Sequence, residues 1–504
     1  MNILNRSIQK IHKISGLTIA IFFLMWFVSG IVLLYHKYPK VDEQDTYRQA
    51  EVLDSQNLPS IYDIPGMTDT TKIKTLSVSR NLGNTVWTIS GASSRKDNAM
   101  DKRSKGDKSF IFTGDTLIPQ KKITPAQIDS IACLWAASNA IAKVDTLKER
   151  QQWILYDRFE KSLPILRYHF DNPDKTEIFI SMKNGEVVQA STKTERFWAY
   201  LGAIPHKFYF QGIRTNTERW KTIMLIGGLI CLIAALSGMY IGIYYIFINK
   251  KKHNSFASPF RKRMWRYHHI AGLIFGIFLT GWGISGALST QRIPKWMVDY
   301  TGDYSVSATK LWGKKPLKLK DYKLDYRKVF DKYPDVKSIS WQHFGKTPAY
   351  LVVFGDKEYY VDASQEDKVA PLEISESEIA DAVGRYFGDD VKFNMTLMDD
   401  YDEYYLSAKG QQPLPVWKAD IDNGDGSRLY VSPSDGYVKY LNENRMVKKW
   451  LFAACHYLDI KYFVLHRTLR YACLWILAIG CVFVIVTGVA IFFSKESNKR
   501  RRRK

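Results

Sequence analysis

Histidines are the residues of this chain whose type and spacing can do chemistry. His12 is followed one helical turn later by Gly16, and 256 positions on His268 is followed in the same way by Gly272. The surrounding stretches, 12–30 and 268–286, are identical at nine of nineteen positions, including Trp26 with Trp282 and Ser29-Gly30 with Ser285-Gly286. A second pair, His206 and His456, recurs at an offset of 250. Ionisable groups at membrane depth are costly and rarely idle. Two neutral imidazoles facing each other inside an apolar bundle can take both axial positions of a low-spin haem, and bundle cores are a usual housing for such a group. Gly16 and Gly272, one turn deeper on the same faces, would leave room for a flat macrocycle. The competing reading, an interfacial histidine satisfied by water or headgroups, stays open for both pairs.

Apolar stretches must position these side chains. Four of them, 14–35, 222–248, 270–288 and 471–493, reach the roughly 20 helical residues that a hydrocarbon core requires. The predicted order is a short N-terminus and first span (1–36), a large polar domain (37–205), an interfacial segment and second span (206–248) and a basic loop (249–266). It continues with a third span (267–290), a second polar domain (291–455), an interfacial segment and fourth span (456–494) and a basic tail (495–504). Both polar blocks are far too long for connecting loops. A cleaved export signal would begin like the first span, but nearly the same sequence serves internally at 268–286.

Charge sets the orientation. Residues 1–13, 249–266 and 495–504 hold seventeen Lys and Arg against one acid, Glu496, within a chain of net charge +22. Positive flanks face the cytoplasm, so both termini and the central loop lie there and both large domains face outward. Basic runs of this kind meet anionic lipid, and no nucleic-acid module accompanies them. Five cysteines make no disulfide framework. Cys231, Cys473 and Cys481 fall in spans, while Cys133 and Cys455 lie outside them and the sequence leaves their pairing open.

The outward blocks also repeat. Thr124-Pro125 predicts a capped helix start, and Ser375 with Glu378 predicts a capping box 251 residues later. Residues 177–188 alternate around an Asn-Gly turn and 428–439 around an Asp-Gly turn, both strong hairpin signals. The loop from Asp422 to Gly426 lacks the spacing of a calcium-binding EF-hand and reads as a turn.

These features together resemble the PepSY-associated transmembrane family, iron-regulated inner-membrane proteins that include reductases of ferric siderophores. The carriers are the His-x3-Gly openings of spans one and three, their Ser-Gly exits and the two helix-plus-hairpin modules. A further carrier is a histidine placed 31 residues before a Ser/Thr-Gly pair, His206 before Ser237-Gly238 and His456 before Thr487-Gly488. The expected fold class is a membrane α-helical four-helix bundle with two extracytoplasmic α+β PepSY-like domains, built by internal tandem duplication. The resemblance implies a multi-pass protein of the bacterial inner membrane with periplasmic domains.

On this reading His12 and His268 hold an inner haem b, and His206 and His456 an outer one. His36 and His466 are alternative members of the outer pair and His269 of the inner, although His269 aligns with Lys13. Iron with both axial positions filled favours electron transfer over oxygen activation. The chain would pass electrons outward, and the resemblance implies a ferric siderophore as acceptor. Trp26 and Trp282 lie between the two levels, either as electron bridges or as packing. With no dinucleotide fingerprint, the donor would be a quinol or a separate reductase. The alternative function is a non-enzymatic membrane binding or sensing module that regulates a peptidase or transporter, in which the histidines are incidental.

Overall fold

A computed structural model describes residues 3–64, 67–69, 73–91, 108–113, 116–119, 123–313, 315–388, 390–406, 408 and 412–501, with backbone alone for 108–113, 116–119 and 495–501. Of the basic tail, 502–504 lie outside the described residues.

Four helices are long and apolar enough to cross a membrane: Ile3–Tyr35, Thr217–His253, Arg263–Leu288 and Arg467–Ser494. They are called the first to fourth long helices. Each begins before the apolar stretch read from sequence, so His12 and His268 lie within helices. Small residues let the helices approach closely. A Cβ on Gly228 would fall 2.4 Å from the backbone nitrogen of Ala287, and one on Gly283 would fall 2.9 Å from that of Leu232, so the second and third helices touch backbone to backbone. Ile19, Phe23, Cys231, Ala235, Leu279 and Cys481 fill the centre of the bundle.

The polar blocks form three antiparallel sheets at one end of the bundle. One is β5 (Ile141–Leu147), β6 (Ile165–Phe170), β7 (Glu177–Ser181) and β8 (Val187–Ser191), in that order. The helix Pro125–Ala136 packs on this sheet, with Ile128, Ile131 and Ala132 against Tyr168, Ile178 and Ile180. Another is β12 (Phe393–Met398), β13 (Val416–Ile421), β14 (Arg428–Val431) and β15 (Val438–Leu441), packed on the helix Glu376–Phe387. Both hairpins turn where expected, with Gly185 at φ +74° and Gly436 at φ +65°.

The cap residues divide differently from the sequence expectation. Thr124 and Gln127 form a full capping box. Ser375 caps its helix, but the Glu378 carboxylate reaches across to the backbone N–H of Lys346 at 2.9 Å instead of returning to Ser375. The loop after β13 is a turn, and Asp425 in it accepts the backbone N–H groups of Thr301 and Gly302, both at 2.8 Å.

The third sheet joins the two polar blocks. Its order is β11 (Lys357–Asp362), β10 (Thr347–Phe354), β9 (Val336–Phe344), β1 (Thr75–Asn81), β2 (Asn84–Ser90), β3 (Lys108–Thr113) and β4 (Thr116–Pro119). Strands β1 and β9 pair antiparallel, Ser77 opposite Ser340 and Val78 opposite Ile339. Beneath them Val78 and Trp87 share one core with Ile339, Trp341 and Tyr350. A one-residue slip would turn these side chains to the wrong face, so the shared core fixes the register between blocks.

Candidate paired-histidine centres

His12, on the first helix, and His268, on the third, face each other with ring centroids 6.3 Å apart. They lie toward the end of the bundle remote from the sheets. His12 Nδ1 sits 3.0 Å from the carbonyl oxygen of Ala234 on the second helix. His268 Nδ1 sits 3.0 Å from the carbonyl of Val484 and 3.1 Å from Thr487 Oγ1 on the fourth. A carbonyl can only accept, so Nδ1 carries the proton in each ring. Nε2 then holds the lone pair, and the Nδ1 bond fixes the ring's orientation as it does for metal-ligating histidines.

His206 and His456 form a second pair near the sheets, with centroids 5.9 Å apart. They belong to short helices, Ala203–Lys207 and Cys455–Tyr457, that lie against the first and third long helices. His206 Nδ1 donates to the carbonyl of Trp26 at 3.0 Å, with Ser29 Oγ at 3.3 Å. His456 Nδ1 meets Ser285 Oγ at 3.0 Å, and the indole N–H of Trp282 donates to the His456 carbonyl at 2.9 Å.

Three of the seats share a feature: the ring packs on a glycine of a neighbouring long helix, His12 on Gly238, His268 on Gly488 beside Thr487 and His206 on Gly30 beside Ser29. His456 instead meets Ser285 Oγ, and nothing stands within 4 Å of where a Cβ would be on Gly286. The hydroxyl before the glycine donates back within its own helix, from Ser237 to Ile233 O at 2.6 Å and from Thr487 to Phe483 O at 2.8 Å. At His12, His268 and His206 the glycine lets the imidazole in. A Cβ would stand 2.7 Å from His12 Cε1 at Gly238, 3.0 Å from His268 Cε1 at Gly488 and 3.1 Å from His206 Cε1 at Gly30. Sequence reading linked Ser237-Gly238 with His206 and Thr487-Gly488 with His456, but in space these pairs seat the other two histidines.

A cavity of about 520 Å³ opens beside the inner pair, lined by His12, His268, Gly16, Gly272 and Phe23, with Lys13 also on its wall. That volume lies in the roughly 300–1,000 Å³ range of cofactor pockets. Nothing stands within 4 Å of where a Cβ would be on Gly16 or Gly272. The remaining candidates have other partners. His269 is bonded at both ring nitrogens, to Ser258 Oγ and the Gly242 carbonyl, each at 2.9 Å. His36 stacks on Trp198 at 4.2 Å, and His466 Nδ1 contacts the carbonyl of Tyr462 in its own turn. Neither enters a pair. The five cysteines are free thiols.

Two features near the outer pair carry no signal in the sequence. Lys449–Ala454 is a π-helical turn that ends two residues before His456, a widening often found at functional sites. Two residues after each outer histidine the backbone is left-handed, at Phe208 (φ +50°) and Leu458 (φ +54°). A bulky residue in that region is strained.

The donor sets fit haem. An imidazole nitrogen binds a metal at about 2 Å, so two rings sharing one iron would have centroids about 6 Å apart, and those of the two pairs are 6.3 Å and 5.9 Å apart. Among the described residues no three His, Cys, Asp or Glu side chains gather as they would for a metal held by protein alone. Two imidazoles suffice where a macrocycle supplies the other nitrogens.

The family model of the PepSY-associated TM region matches residues 9–350. The chain belongs to that family. The matched part of this PepSY-associated membrane protein contains His12, His206 and His268 and ends before His456, whose place in the outer pair rests on the 250-residue recurrence and on geometry. Comparison with curated proteins gave no match.

Proposed function

We propose that this protein carries two b-type haems, an inner one between His12 and His268 and an outer one between His206 and His456, and passes electrons across the bacterial inner membrane to a ferric siderophore-type chelate. The observation that carries the reading is the pair of matched imidazole couples, one toward each end of the bundle, with spacing and proton placement suited to axial ligation. A haem held by these histidines would supply one-electron transfer.

The chain's own residues do the rest. Backbone carbonyls of Ala234, Val484 and Trp26 keep the proton on Nδ1 and the lone pair on Nε2. Phe23, Phe27 and Trp282 form an aromatic run between the levels, with Phe23 to Phe27 at 6.1 Å and Phe27 to Trp282 at 5.1 Å. Trp282 ends that run on the His456 carbonyl. Basic flanks put both termini in the cytoplasm and the sheets in the periplasm, where the acceptor would meet the outer pair. The donor is a quinol or a separate reductase. The recurrence of helix, hairpin and histidine at offsets of 250 to 256 fits a tandem duplication.

The test is absorption spectroscopy of the full chain extracted from membranes. The wild type should show a Soret band that shifts on reduction, with two haems per chain. His12→Ala or His268→Ala should each remove the inner haem, and His206→Ala or His456→Ala the outer. A colourless wild type would instead favour the binding-module function, and loss of all haem from one substitution would refute two separate centres. Ferric chelates mixed anaerobically with reduced protein should reoxidise it.

A further inference from the structure

We infer that Gln152 and Glu403 are positioning residues for the outer histidine pair, tying the sheets to the strained turns that follow His206 and His456. The inference rests on the two-centre reading above and adds residues that touch neither histidine.

Gln152 lies in the β5–β6 loop and Glu403 in the β12–β13 loop, 251 positions later. Gln152 Nε2 donates to the carbonyl of Tyr209 at 2.7 Å, and its Oε1 accepts from the backbone N–H of Gln211 at 3.1 Å. Glu403 Oε2 accepts from the backbone N–H of Lys461 at 3.0 Å. Gln211 and Lys461 each stand five residues past their outer histidine. In both halves, then, one loop side chain accepts the same backbone N–H beyond the histidine.

Supporting bonds hold each loop in place. The Tyr38 hydroxyl donates to the Gln152 carbonyl, and Gln189 Nε2 donates to the Trp153 carbonyl at 2.9 Å. Lys449 Nζ lies 3.0 Å from Glu403 Oε2 and also bonds the Glu403 carbonyl. Asp459 Oδ1 accepts from the backbone N–H of Ala408 at 2.8 Å. Between histidine and clasp lie the left-handed Phe208 and Leu458. A bulky residue persists in that conformation only where its surroundings determine it. The clasp supplies that constraint just beyond the turn, with the histidine just before it. Chemically different side chains, an amide and a carboxylate, share the acceptor oxygen that meets the backbone N–H.

The experiment uses full-length protein in nanodiscs with Gln152→Ala, Glu403→Ala and Glu403→Gln. Each Ala variant should release the outer haem about two- to tenfold faster, the scale of one lost hydrogen bond, and shift the outer reduction midpoint while the inner centre stays unchanged. Amide exchange should rise at 209–212 in Gln152→Ala and at 459–461 in Glu403→Ala. Glu403→Gln should behave as wild type, because its amide oxygen still accepts from Lys461. If Glu403→Gln matched Glu403→Ala, the ion pair with Lys449 would be the cause and the backbone clasp would be refuted. Equal changes at both haems, or none at the outer one, would overturn the inference alone. A wild type without porphyrin would overturn the functional reading together with it.

Discussion

Gly16 and Gly238 both border His12 and answer to opposite constraints. At Gly238 a methyl group would stand 2.7 Å from the imidazole, whereas at Gly16 it would meet nothing within 4 Å and would enter the cavity. Gly238→Ala should therefore displace the His12 ring, at a cost of about 1–3 kcal/mol for overpacking, and weaken retention of the inner haem proposed above. Gly16→Ala should make the apoprotein more stable by up to about 1 kcal/mol through helix propensity, yet lower inner haem content. Thermal melts of apoprotein alongside pyridine-haemochrome assays check both, and equal behaviour of the two variants would refute this division. Lys439 poses a separate test among the sheets. Burial pushes its amine down to about 8, against the pull of Asp459 and Asp402 and with help from Lys449 and Arg445. Between about pH 8 and the ordinary lysine range the unfolded chain binds this proton more tightly, so stability from this group rises with pH across that window. Lys439→Met should raise the melting midpoint at pH 7 by roughly 2–4 °C and flatten its climb toward alkaline pH, as scanning fluorimetry across pH would show.

Helices turn these local constraints into a site. Because His12 and His268 dock on the second and fourth long helices and His206 and His456 on the first and third, the inner pair forms only when all four assemble and the outer pair only when the first and third do. Gly228→Val should show this without touching a histidine. It forces apart the backbones of the second and third helices, where a Cβ would already fall 2.4 Å from Ala287 N. A melting midpoint lowered by several degrees and, for the two haems proposed above, loss of both are expected, and retention of both would disprove the dependence on close packing. Much of this element scale was legible in sequence. The apolar runs gave four helices, the Asn-Gly and Asp-Gly turns gave two hairpins, and matched offsets singled out the histidines that pair. Recurrence could not show which Ser/Thr-Gly pair seats which histidine, because that depends on helix neighbours and not on spacing along the chain. The π-helical turn at Lys449–Ala454 and the left-handed Phe208 and Leu458 were equally hidden, since no glycine or proline marks them. The capping motif of Ser375 and Glu378 says nothing about a tertiary partner such as Lys346.

At the scale of the whole molecule the two halves are bound twice, once in the bundle and once through β1 and β9. Sequence alone presented two separate polar domains. Strand pairing between residues more than 250 positions apart leaves no local signature, and the alternation of β1 and β9 would suit a strand in either block. The joint has a mechanical consequence: a force or ligand acting on one block is transmitted to the other through a continuous sheet and a shared core of Trp87, Trp341 and Tyr350. A cross-link can test this arrangement. Ser77 and Ser340 are directly opposed and partly exposed, and opposed antiparallel residues approach to about 4.5–5.5 Å between Cα atoms, within reach of a disulfide. Ser77→Cys with Ser340→Cys, in a background whose five native cysteines are replaced by Ala or Ser, should oxidise to one bridge. After a protease site placed in the 254–262 loop is cut, the halves should migrate together on a non-reducing gel and apart once reduced. Shifting one partner to Ser338, which faces Ser79 in this register, should abolish the bridge with Ser77. Equal cross-linking at both positions would mean that the strands slide and that the two blocks are not held as one unit.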